Sequence, residues 1–426
     1  MVRNTLWFVG TSICCLVVAA SAQAQQVGEQ FRRDHNVSVR DRPRPELEPL
    51  RIRAGAFTLA PKATASVTSD DNIYATKNNE TDDLIGTLIG EIAATTNWSR
   101  HDVTANVKLQ NDAYQDHSEE DATTYAANVT GRVDVMRDFA LVGGARFEHD
   151  VEARTASGIA STTLAKPVRY DLSGFDLGGA RAFNRLRVTA AYSYRDIDYD
   201  DARDLNNLVV DQDYRDHSTE RASLRGDYAV SPNTALFVKA EGNRRRYDSA
   251  SSGGFNRDSD GYVITTGADL DLTGVIRGLV QVGYLSQDFE DPSTSDISGF
   301  AASGEIEWFP TQLTTVTFRA AREVQDTGLI TSPAALATTG GVQVDHELLR
   351  NLLLTGRYEY STSDYQRIDR KDDRSAAIFG VNYLANRHFN VQLFYSYLKQ
   401  SSSGDPSAVG VDYTVNRLSI SLVAKY

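Results

Sequence analysis

Seven histidines, His35, His101, His117, His149, His217, His346 and His388, are the first side chains to consider for metal or acid–base chemistry. A zinc-protease helix needs HExxH because residues four apart share one helical face, and no pair here has that spacing or the simpler HxxxH. No GxSxG elbow presents a nucleophilic serine. The acidic pairs Glu119-Glu120 and Asp200-Asp201 fall in polar stretches, where carboxylates are solvated rather than held for proton transfer. Asp70-Asp71-Asn72 offers oxygen ligands for a hard cation, but three adjacent Asx residues at the start of a polar link are more often turn formers. The expectation is a protein that is not an enzyme, with no cofactor and no metal.

What remains is charge at alternating positions. Lys108, Arg132, Arg146, Arg187, Arg195, Arg221, Arg225, Lys239, Glu241, Arg245, Glu305, Glu307, Arg319 and Arg357 fall on the polar positions of segments that read apolar at every second residue. Burying so many charges in a dry core would be prohibitive, so they are expected to line a hydrated lumen. Two uses follow: a ladder such as Arg221 and Arg225 beside Lys239, Glu241 and Arg245 sets up a transverse field that orients polar solutes, or the charges pair across the wall and stiffen it.

The elements that would position them have period two, not 3.6. In the last segment Leu418, Ile420, Leu422, Ala424 and Tyr426 share one face, while Arg417, Ser419, Ser421, Val423 and Lys425 share the other. An apolar face ending on a C-terminal aromatic is the expected assembly signal, carried by Leu418, Ile420, Leu422 and Tyr426 and read by barrel assembly machinery. The same alternation runs through Val103, Ala105, Val107 and Leu109, through Leu186, Val188, Ala190, Tyr192 and Tyr194, and through Val391, Leu393, Tyr395 and Tyr397. A soluble sandwich would alternate in this way too.

The links separate the two. Short ones near residues 98–101, 136–138, 184, 232–233, 274–278, 310–312, 350–351 and 386–388 alternate with long polar ones centred on 70–82, 111–121, 150–167, 196–217, 246–260, 287–296, 326–336, 362–373 and 400–411. Short periplasmic turns against long extracellular loops are the asymmetry of outer-membrane barrels. The count predicts an all-β, transmembrane, antiparallel up-and-down β-barrel of about 18 strands, with a backbone cylinder roughly 35 Å across. Aromatics at Trp98, Phe139, Trp308, Tyr383 and Tyr426, and at Tyr125, Phe147, Tyr194, Tyr262, Tyr284, Tyr360 and Tyr397, suit two interfacial girdles.

Export agrees. Residues 1–24 carry Arg3, an apolar run from Leu6 to Ala20 and the triplet Ala22-Gln23-Ala24, which read as a cleaved signal peptide. Both cysteines, Cys14 and Cys15, lie in that run, so the remaining chain is expected to have no thiol. The formal net charge of −13 becomes one unit more negative when Arg3 leaves, which argues against nucleic acid. It is compatible with divalent-ion bridging to lipopolysaccharide, beside the outer-membrane lipid that a barrel requires.

The stretch Val39 to Thr76 adds a specific pattern. It holds Asp41-Arg42-Pro43-Arg44-Pro45-Glu46, then Pro49-Leu50-Arg51-Ile52-Arg53-Ala54-Gly55-Ala56-Phe57, then Leu59, Pro61 and Asp70-Asp71-Asn72-Ile73-Tyr74-Ala75-Thr76. This resembles the entry region of the putative β-barrel porin 2 family, with Arg51 where that family usually has glycine. The resemblance implies an outer-membrane barrel associated with exopolysaccharide production: an exit for polysaccharide, working with a periplasmic polysaccharide-export protein. A general or solute-specific diffusion porin is the alternative. The organisation expected is a signal peptide (1–24), a periplasmic N-terminal segment (25–56) and the barrel (57–426). The proline-spaced segment from Asp41 to Pro49 reads as an extended lead-in, a spacer or a docking segment.

Overall fold

The computed structural model describes residues 36–158, 164–249, 254–272 and 274–426; the expected signal peptide lies outside them. Alternating β-branched and aromatic residues form the strands β1 (Ile52–Ala54), β2 (Phe57–Asp70), β3 (Asp83–Thr96), β4 (Asp102–Tyr114), β5 (Ala122–Met136), β6 (Phe139–Val151), β7 (Arg169–Phe183) and β8 (Leu186–Tyr199). Two short strands, β9 (Ala202–Arg203) and β10 (Val209–Val210), pair only with each other. The wall continues with β11 (His217–Ser231), β12 (Thr234–Tyr247), β13 (Ser259–Leu272), β14 (Ile276–Phe289), β15 (Ile297–Thr311) and β16 (Thr314–Asp326). It ends with β17 (Ala334–Leu349), β18 (Leu352–Tyr365), β19 (Arg370–Leu384), β20 (Phe389–Gly404) and β21 (Tyr413–Lys425).

Each long strand runs antiparallel to the next, and β21 pairs with β2 from Lys62↔Lys425 to Asp70↔Arg417. The 18 long strands therefore close into an up-and-down barrel with no free edge; β1 only adds to the start of β2. Among the described residues no helix is long and apolar enough to cross a membrane.

The apolar positions face outward. Leu88, Val238, Phe300, Phe379, Leu418 and Ile420 are exposed, while the residues on either side of each are buried or half-buried. The polar face is the interior, because strands that are not neighbours in the sheet touch only through it: Arg245 of β12 donates to the Val324 carbonyl of β16 (3.2 Å). Exposed Trp98, Trp308, Tyr383 and Tyr426 cluster at the short-turn end, and ring pairs such as Tyr125–Phe147 and Tyr262–Tyr284 lie toward the other.

The tight turns show why they are tight. Asn184, between β7 and β8, takes φ 56°, the left-handed conformation that a two-residue hairpin asks of Asn. Register shifts break the ladders beside four short turns, between Asp134/Met136, Ala229/Ser231, Trp308/Thr311 and Glu347/Leu349. Pro310, expected in a turn, sits instead inside β15 at one of these bulges, where its missing N–H costs no ladder bond. Pro61 is tolerated within β2 because the ladder to β21 begins only at Lys62.

The outer links are shorter than the polar stretches suggested. Residues 362–373 were expected as a loop, but β18 and β19 stay paired through Asp364↔Lys371, leaving only 366–369 as the link. A strand of 14 residues at ~3.3 Å each and ~40° tilt rises about 35 Å, beyond an apolar band of ~25 Å. The protruding ends meet water on the outer face, so polar residues continue the ladder there.

Candidate functional site

The site is the barrel interior with its two mouths. All fourteen charged residues singled out above occupy interior-face positions of their strands, and most are committed to ion pairs. Five pairs run along one strand between residues two apart: Arg132–Asp134 (2.9 Å), Arg146–Glu148 (3.8 Å), Arg225–Asp227 (2.6 Å), Lys239–Glu241 (2.7 Å) and Arg357–Glu359. Others cross between neighbours: Arg195–Asp176 (2.9 Å), Arg187–Asp227 (3.1 Å), Arg319–Glu305 (2.8 Å) and Arg277–Glu307. Arg245 reaches Asp326 at 3.4 Å. Lys108 is exposed and stands opposite Glu91, which bridges Lys62 instead. Arg221 has no carboxylate within ion-pair distance among the described residues.

The expected ladder is therefore neutralised locally. Lys239 answers Glu241 and Arg225 answers Asp227 on their own strands, so charges of both signs alternate every few ångströms instead of facing each other as opposed walls. Pairing at i, i+2 follows from geometry, since those residues share a face of one strand.

The interior is not uniformly polar. Leu398, Tyr413 and Val415 gather around Ala75, and Leu285, Ile297 and Ala301 around Ala334. These clusters sit at the outer end and seat the loops.

The outer mouth is crossed by the β6–β7 link. Its Arg154 is buried in a two-bond fork to Glu120 (2.6 and 3.1 Å), and its Glu152 holds Arg215. The Thr155 carbonyl accepts from Arg374 (2.6 Å) and from the Tyr413 hydroxyl (3.1 Å), while Ser157 meets Tyr365 (3.2 Å). The link thus reaches from the β4–β5 side to β18–β21. A second brace is Arg257, wholly buried, which donates to the carbonyls of Thr327, Leu329 and Ser332 and lies over the Tyr214 and Tyr247 rings. Sequence reasoning missed both, because loop arginines carry no periodic signal.

Residues 36–50 lie inside the inner mouth against the β14–β20 side of the wall. Arg40 faces Asp345 (3.6 Å), Arg42 and Arg44 both pair with Glu347 (3.2 and 2.7 Å), and Glu46 pairs with Arg350 (2.7 Å). Asn36 bonds to the Gly274 carbonyl, its own carbonyl accepts from Arg277 (2.9 Å), and the Val39 amide donates to Thr315 Oγ1 (3.0 Å). The segment expected as an extended lead-in is folded into the short-turn mouth, because three arginines at every second residue meet the acidic Asp345 and Glu347, also two apart, on β17. That match of two alternating arrays was present in the sequence.

Asp70-Asp71-Asn72 acts as turn and seam. Asp70 accepts from the Asn72 amide (3.0 Å) and pairs with Arg417, and Asp71 accepts from the Asn416 amide (2.7 Å). A different acidic group, Asp201, Asp211 and Asp213, brings carboxylate oxygens within 4.8 Å of one another on an exposed link, where Asp211 accepts from the Asp213 amide (2.9 Å). In the same link burial and the neighbouring carboxylates of Asp198, Asp213 and Asp248 push Asp216 up to about 6, against the bond it accepts from the Tyr199 amide. A carboxyl raised above its unfolded value favours the folded link at low pH and loses that contribution as pH rises through about 6. Amide protection factors across 200–216, with the intrinsic pH dependence of exchange divided out, are expected to be higher at pH 5 than at pH 7.5, with Asp216→Asn flattening the difference; equal pH dependence in the variant would contradict this.

The C-terminal residues Leu418, Ile420, Leu422 and Tyr426 are all exposed on the outer face, and the Tyr426 amide caps the seam by donating to the Pro61 carbonyl (3.2 Å).

A closed 18-stranded barrel with an apolar outside and a charged, hydroxyl-rich inside defines the class: a porin-like channel of the outer membrane. The chain belongs to the family described as Putative beta-barrel porin 2, whose model matches residues 44–426. No curated protein matches it. Solved structures of Pseudomonas aeruginosa barrels are similar in fold. OpdK with vanillate has a TM-score of 0.46 at 9% identity, covering 86% of this chain and 99% of that one. OccK2 (OpdF) gives 0.47 at 11%, covering 87% and 98%. The siderophore receptor PirA gives 0.44 at 9%, covering 86% and 80%.

Proposed function

We propose that this barrel is a non-enzymatic channel and serves as the outer-membrane exit for an exopolysaccharide, handed over by a periplasmic export protein. The observation that supports the reading is the interior. Eighteen strands enclose a space too wide for side chains alone to fill, and its wall offers exchangeable hydrogen bonds and paired charges. Hydroxyl-rich chains slide along such walls, while an apolar solute finds nothing to hold it. The pairing suits an uncharged or sparsely charged glycan, because no long run of one sign would trap it.

A second reading has its own support. The inward β6–β7 link and the N-terminal segment narrow both mouths, an arrangement that also serves a diffusion porin for small solutes. Deleting the protein separates the two. The export reading expects surface polysaccharide to be lost while uptake of a small sugar or antibiotic is unchanged. Normal polysaccharide with slower small-solute uptake would sink export and promote the porin.

A further inference from the structure

The segment from Asn36 to Leu50 differs from every other part of the barrel end it occupies. It makes no strand ladder with the wall; β1, which follows it, is the first piece to pair, and only with β2. The barrel is already closed by β2 and β21 without it. Removing the segment therefore breaks no sheet hydrogen bond and opens no edge.

Its anchors are side chains spread along one side of the mouth. At one end Asn36 meets the β13–β14 turn and Arg277 of β14. In the middle the Val39 amide reaches Thr315 of β16, and Arg44 reaches Glu347 of β17 (2.7 Å). At the far end Glu46 takes Arg350, next to the β17–β18 turn, and its carbonyl accepts from Arg387 in the β19–β20 link (3.2 Å). The ties fall in strand order, on β14, β16, β17, the β17–β18 turn and the β19–β20 link, so the strap lies along one side of the mouth and narrows it. Val39, within the strap, is fully buried.

The balance of forces favours a part that moves. The ties differ in character: the half-exposed pair of Glu46 and Arg350 exchanges readily for water, whereas Arg44 and Glu347 are buried, so the hold of the strap concentrates there. Buried Val39 adds apolar surface. Against this stands the entropy of freezing some fifteen residues, which is of the same order as the ties together. Glu347 is the critical tie, since it receives Arg42 and Arg44 and lies 3.8 Å from Arg350.

We propose that residues 36–50 form a displaceable gate inside the periplasmic mouth: seated, they narrow the opening and set the conductance of the channel, and released from Glu347 they swing clear while the barrel stays closed. The proposal rests on the channel reading alone and holds whichever solute passes.

The test uses the purified full-length mature barrel in a planar bilayer with simple salt, so that its result is independent of any polysaccharide phenotype. Val39→Cys with Thr315→Cys, in a chain whose own cysteines lie in the leader, places thiols where the backbone and side chain now bond at 3.0 Å. Oxidation locks the strap and is expected to hold single-channel conductance several-fold below that of a barrel lacking 36–50. Reduction is expected to restore fluctuation between the two levels. Glu347→Gln, which strips the acceptor from Arg42 and Arg44, is expected to sit mostly at the higher level without a disulfide. Heat-modifiable migration verifies that each variant is a folded barrel. Equal conductance of locked, reduced and deleted forms would overturn the gate. A locked form identical to the reduced one, both below the deletion, would overturn movement and leave a fixed constriction.

Discussion

Replacing Ile420 and Leu422 together by aspartate is expected to abolish insertion of the barrel. Both side chains point into lipid from the middle of β21, and each carboxylate there costs roughly 1–3 kcal/mol. The penalty falls on the strand that pairs with both β20 and β2, so failure leaves two open edges in the membrane rather than a local defect. Ser419→Asp is the control: the same charge, one residue away, faces the interior and is expected to insert normally. Heat-modifiable migration in outer-membrane fractions reads both. A folded barrel from the double variant would remove β21 from the closing position.

Removing the carboxylate of Asp227 is expected to destabilise the folded barrel by about 3–5 kcal/mol, the range for breaking a buried ion pair by removing one partner. Asp227 and Arg187 are each only 1% exposed in their side chains, and Arg225 is bound to the same carboxylate. Asp227→Ala takes from buried Arg187 the carboxylate 3.1 Å away, and from Arg225 its partner at 2.6 Å. Arg187→Met with Asp227→Leu removes both charges at similar volume and is expected to recover most of the loss. Urea midpoints in detergent, with m unchanged, are the measurement; a single variant as stable as the parent would mean that water reaches the pair.

The wall of the barrel was legible because lipid enforces it. Outward positions within the lipid band are predominantly apolar, so Leu186, Val188 and Ala190 or Leu418, Ile420 and Leu422 declare their face, and the register of the whole sheet follows. Interior positions obey no such rule. Leu398 and Val415 point inward although alternation marks the inside as polar, because the loop packed on them at Ala75 excludes water there. The sequence likewise showed which charges share the lumen but not how they pair, since residues two apart on one strand compete with residues across the ladder and the winner depends on side-chain reach. Arg154 and Arg257 were illegible for a third reason: links have no period, and their burial is decided by distant partners. The strap lies between these cases, with Arg40, Arg42 and Arg44 matched to Asp345 and Glu347 across some 300 residues of chain.

The seam between β2 and β21 joins the first long strand of the wall to the last, with Arg417 on Asp70 and Asn416 on Asp71. A nascent chain exposes two unsatisfied edges until its final thirteen-residue strand arrives, so closure is the slowest contact to reach and the one that certifies a complete copy. The strap inherits that dependence. Its seats on β14, β16 and β17 come within reach of a segment attached to β2 only once the ring has been drawn shut. A truncated or stalled chain therefore keeps its N-terminal arm loose as well as its edges open, two handles by which quality control in the periplasm can tell an unfinished barrel from a sealed one.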